Sequence, residues 1–145
     1  LPMSVDSTGA VRWFSRVVWL GIAANLALSL PTLLMPARML AFSRLPITEP
    51  LLWTQFAALL LILLSAFYVP AALDPRRYSL VAILSVLARL AGVVFFVGFQ
   101  PAEYHMFGYF DLLFFVPEAV LLVRLRAGAP APRLAPVIGD VSRSH

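Results

Sequence analysis

The chain has no cysteine and no lysine, and few charges of any kind. Without cysteine there can be no disulfide, thiolate metal site, iron–sulfur cluster or cysteine nucleophile. Charged residues make up 12% of the chain, against about 25% in a soluble domain, so polar surface is too scarce to cover a water-soluble globule. Motifs are scarce too: there is no phosphate-binding glycine loop, dinucleotide fingerprint, nucleophile elbow or zinc-type His-Glu-x-x-His. Autonomous catalysis is therefore not expected, and no catalytic residue or metal site is assigned.

What is abundant is apolar sequence: 61% of residues are hydrophobic and mean hydropathy is +0.90. Crossing a membrane takes roughly 20 apolar residues at about 1.5 Å rise each. Four runs meet this, at about 13–34, 51–73, 79–99 and 106–125. None alternates like a strand, and an open sheet has no place in lipid. The expected fold is all-α, an integral membrane four-helix antiparallel bundle joined by short connections. Residues 1–126 form this domain, and the Pro/Ala-rich stretch 127–145 is a tail without hydrophobic periodicity, disordered unless a partner holds it. Arg12 and Arg16 ahead of the first run have the layout of a secretory leader. We read that run as a retained span, and Met3 as a candidate start.

Between the first two spans lies Pro36-Ala-Arg-Met-Leu-Ala-Phe-Ser-Arg-Leu45. Pro36 suits a helix start, and Met39, Leu40 and Phe42 are apolar beside Arg38 and Arg44. This predicts a short interfacial helix; an irregular loop is the alternative. Asp74-Pro75 reads as the N-cap and first turn of the third helix.

All 11 basic residues are arginine, and the net charge is +4. In a soluble protein this would suggest nucleic acid. Here the arginines flank apolar spans, so the positive-inside bias explains them and no nucleic-acid partner is expected. Arg12, Arg16, Arg76, Arg77, Arg124, Arg126, Arg133 and Arg143 fall on one side, against Arg38 and Arg44 on the other. This predicts both termini in the cytoplasm of a bacterial-type inner membrane.

The chemically informative residues are the polar ones inside spans, where a charge costs about 2.5–3.5 kcal/mol on insertion scales. Arg89 and Glu118 lie on neighbouring helices at similar depths, about 15 and 12 Å from the cytoplasmic end, which predicts an ion pair between them. Its simple reading is helix registration; the functional one is a proton or quinone site around Glu118. Asn25, Gln55 and Ser85 are expected to make interhelical hydrogen bonds, and the Ala88/Gly92 step allows close backbone approach beside Arg89. Asp111 shares a helix face with Glu118 and, with Gln55, Tyr104 and His105, could form an outward polar pocket; interfacial residues reaching water are the alternative. His105 is a weak candidate ligand, since bis-axial haem needs a second intramembrane ligand that the sequence does not supply.

Several of these features sit in a recognisable layout. A proline-containing amphipathic link follows the first span. The second span starts near Trp53-Thr-Gln55 and ends in Tyr68-Val-Pro-Ala-Ala-Leu-Asp74-Pro75, the third carries Arg89, and the fourth has an Asp111–Glu118 face. Over about residues 13–125 this resembles the DoxX-like small four-helix bacterial membrane proteins. The resemblance implies a membrane subunit associated with redox machinery and transfers no catalytic residue.

The sequence thus points to a non-catalytic accessory subunit of a larger inner-membrane complex linked to electron transfer, with other membrane subunits and lipids as partners. A quinone-interacting subunit is the alternative. It would use Asp111, Glu118 and Arg89 beside Phe95, Phe96, Phe99, Phe107, Phe110, Phe114 and Phe115, an aromatic stripe that otherwise reads as packing. A small dimeric transporter is a third possibility, but the first span lacks the carboxylate such exporters use. No intrinsic cofactor is expected; a bound quinone or lipid is left open.

Overall fold

The computed structural model describes residues 7–47 and 50–127. Four helices are long and apolar enough to cross a membrane. Helix α1 (Ser7–Leu34) is followed by the short α2 (Pro36–Phe42), then α3 (Leu52–Leu73) and α4 (Ser79–Val93). Helix α4 runs on as a π-helical stretch, Val94–Phe99, and a 3₁₀ turn, Ala102–Tyr104, leads into α5 (His105–Ala127). The tail expected at 127–145 lies outside the described residues beyond its first.

The long helices pack in a ring: α1 on α3, α3 on α4, α4 on α5 and α5 back on α1, while the diagonal pairs barely approach. The short interfacial helix forms as expected, with Pro36 in its first turn. Helix α1 starts earlier than the apolar run suggested. Its 28 residues extend about 42 Å, so the turn bearing Arg12, about 33 Å from the Leu34 end, lies beyond an apolar thickness of about 30 Å. Asp74 Oδ1 accepts the backbone N–H groups of Arg76 and Arg77 at 3.1 and 3.0 Å, as an N-cap does. The helix proper begins only at Ser79, after a turn.

A Schellman ending closes α2: Arg44 N–H donates to the Ala41 carbonyl and Leu45 N–H to that of Leu40, at 3.1 and 2.9 Å. It places Arg44 at φ 56° and turns Leu45 inward, where it is buried. Gln55 of α3 then donates to the Leu33 carbonyl at 3.0 Å, satisfying one of the carbonyls left open where α1 ends.

The bundle interior has three zones. At the arginine-rich end, Phe14, Val18, Ile22, Tyr68 and Val86 pack around Ala71, Ala72 and Ala82, small residues that let the helices close up. Across the middle runs a polar layer. At the α2 end the helices part around a cavity.

Candidate functional site: a polar layer beneath an apolar cavity

Antiparallel packing of α4 on α5 sets the polar layer. Ser85 faces Glu118, Arg89 faces Phe114, Gly92 faces Asp111 and Phe96 faces Phe107. Moving up one helix by a given step moves down the other by the same step, as one register requires. Arg89 therefore stands between two carboxylates, with its guanidinium carbon 5.0 Å from the Phe114 ring centre.

The salt bridge it makes is with Asp111, Nη1 to Oδ1 at 2.8 Å. The Arg89–Glu118 pair expected from helix depth is thus replaced: Glu118, 1% exposed, instead meets the Ser85 hydroxyl at 3.3 Å. Depth measured along separate helices could not choose between carboxylates on opposite sides of the arginine. The choice follows from Gly92, whose missing side chain leaves room for the Asp111 carboxylate. A Cβ there would collide with it.

Arg89 also reaches across the bundle diagonal. Its Nη1 donates to Asn25 Oδ1 on α1 at 3.1 Å, and Asn25 Nδ2 donates to Ser65 Oγ on α3 at 3.2 Å. Gly21 makes the reach possible, since a Cβ there would lie 2.8 Å from Arg89 Nη2. One arginine so ties α1, α4 and α5 directly and α3 through Asn25. All three residues expected to hydrogen-bond between helices do so: Asn25 to Ser65, Gln55 to the Leu33 carbonyl, and Ser85 to Glu118.

Above this layer lies a cavity of about 510 Å³. Its walls are largely apolar, from Leu28, Met39, Leu45, Ala58, Phe96 and Phe110 among others, and Trp53 and Tyr104 also border it. Asn25, Ser29 and Asp111 bring polar groups to its floor, and Thr32, Ser43, Thr54 and Tyr104 add hydroxyls around it. Helix α2 and its Schellman turn cover it through Met39, Leu40 and Leu45. The wall from the third span is Phe96, within the π-helical stretch, tilted against Phe107 with ring centres 5.3 Å apart. Wide turns of this kind recur at functional sites because they redirect side chains without breaking a helix.

Of the residues singled out from sequence, Asp111 and Tyr104 border the cavity; Glu118 and His105 do not. His105 Nε2 instead pairs with the Gln100 carbonyl at 3.0 Å, and Gln55 is held by α1. Of the aromatic stripe, Phe96, Phe107 and Phe110 line the cavity, Phe114 supports Arg89, and Phe95 and Phe99 point outward. Ser29 was missed in the sequence, where one hydroxyl in an apolar helix carries no signal. Among the described residues, no three His, Asp or Glu side chains converge as a metal site. The chain matches no family model, no curated protein and no solved structure.

Proposed function

We propose that this protein is a non-catalytic inner-membrane subunit, with both termini cytoplasmic, that holds a quinone-class molecule for a redox partner in the membrane. The cavity carries this reading. Ligand sites are typically concave and apolar, of roughly 300–1,000 Å³, with a few polar groups that fix orientation. This one combines aromatic walls suited to a flat ring with a polar floor at Asn25, Ser29 and Asp111. Its place between membrane-crossing helices gives access to molecules dissolved in lipid. The arginine distribution supports the orientation, and the resemblance to DoxX-like proteins points to the same redox setting.

Trp53 borders the cavity and serves as a reporter once Trp13 and Trp19 are replaced by Phe. In lipid nanodiscs, a short-chain benzoquinone should quench Trp53 saturably. Ala58→Phe, or Ala57→Phe on the same wall, fills the cavity and should abolish the saturable component. Quenching no greater than simple partition into protein-free nanodiscs, or binding untouched by both fillings, would reject the proposal.

A further inference from the structure

The hydrogen-bonding capacity of the cavity distinguishes the two redox forms of such a ligand, an inference that rests on the binding reading above. Ser29 borders the cavity and is 1% exposed, yet its Oγ has no hydrogen-bond partner among the described residues. Buried hydroxyls are normally paired, so this one marks where a ligand's polar atom belongs. Asp111 borders the same space with a side chain 19% exposed, and its Oδ1 is ion-paired with the Arg89 guanidinium at 2.8 Å. A carboxylate only accepts hydrogen bonds.

The other polar groups do not reverse this balance. Thr32 spends its hydrogen on the Leu28 carbonyl at 2.7 Å and offers the cavity only lone pairs. Asn25 Oδ1 accepts from Arg89 and one Nδ2 hydrogen goes to Ser65, while its second amide hydrogen can meet an oxygen of either redox form. Ser43, Thr54 and Tyr104 hydroxyls can donate or accept. A quinone brings two carbonyl acceptors and would set lone pairs against the Asp111 carboxylate. A quinol brings two O–H donors.

We infer that the cavity selects the quinol over the quinone, with one ring hydroxyl donating to Asp111 and the Ser29 hydroxyl hydrogen-bonded to the ligand. The test is an anaerobic titration of the nanodisc protein, using Trp53 as reporter, with one short-chain benzoquinol, its quinone and its dimethyl ether. The quinol should bind at least about tenfold more tightly than the quinone, which raises the bound couple's midpoint potential by about 30 mV. The ether, lacking donors, should bind no better than the quinone. Asp111→Asn, whose amide can also donate, should erase the preference, and Ser29→Ala should weaken the quinol. Equal affinity for quinol and quinone, or an ether that binds as well as the quinol, overturns the inference while leaving the cavity as a binding site. Failure of all three compounds to bind saturably overturns both. The three-compound series on the unaltered protein decides the matter even if Asp111→Asn does not fold.

Discussion

Removing Arg89 would leave the Asp111 carboxylate in the bundle interior without its counter-charge. Breaking one side of a buried pair typically costs about 3–5 kcal/mol, so Arg89→Met should lower stability by that order in a reversible detergent–SDS unfolding titration. The double variant Arg89→Met/Asp111→Leu removes both charges and should lose less than Arg89→Met alone; an additive loss would show that the pair is not coupled. Gly92→Ala tests the geometry that chose Asp111. Its methyl would strike that carboxylate and should cost about 1–3 kcal/mol as the helices are forced apart. Glu118 behaves differently, because it borders no part of the cavity and rests on Ser85. Glu118→Gln should leave quinone-class binding unchanged, whereas an affinity loss would move the site toward the arginine-rich end. The sequence made Arg89, Asp111, Glu118 and Asn25 visible, since polar groups in apolar spans stand out energetically. It could not show the partner choice, which depends on the α4–α5 register and on two glycines.

At the scale of elements, the spans were legible because length and hydropathy are local properties, and the third ends at Ser79 and Phe99 as read from sequence. The π-helical character of Val94–Phe99 was not legible. An apolar helix stretch has the same composition whether its bonds close at four residues or five, and the difference lies in packing against α5. The cavity was hidden for the same reason, being the space left where Phe96 and α2 hold the helices apart. Helix α2 could be anticipated from Pro36, but its ending could not: Arg44 occupies the left-handed region that glycine favours. A side chain there costs roughly 1–2 kcal/mol, so Arg44→Gly should raise the thermal midpoint in detergent. Arg44→Pro fixes φ near −65°, breaks the Schellman turn and should release Leu45 from the cavity's cover. The expected readouts are a lower midpoint and weaker Trp53 quenching by quinone. Unaltered quenching would show that the turn does not shape the cavity.

For the whole molecule, lipid is the solvent that makes the surface intelligible. Leu20, Leu60, Leu80 and Leu113 stand exposed on the outside of the bundle, as fits acyl chains better than water. The described charges outside the polar layer gather at its two ends. Arg76, Arg77, Arg124 and Arg126 are exposed at the end opposite α2, and positive charge there should be retained on the cytoplasmic side during insertion. The chain contains no cysteine, so one introduced cysteine reports one position without background. Ala102 and Ala127 are both exposed and bracket the fourth span. With Ala102→Cys, a membrane-impermeant maleimide should label the protein in intact cells. With Ala127→Cys, it should label only after the membrane is permeabilised. The reverse pattern would invert the bundle and place the cavity at the cytoplasmic face, where a quinol would meet a different set of redox partners. Labelling of both sites in intact cells would deny that the fourth helix spans the bilayer, and with it the lipid environment on which the buried Arg89 network depends.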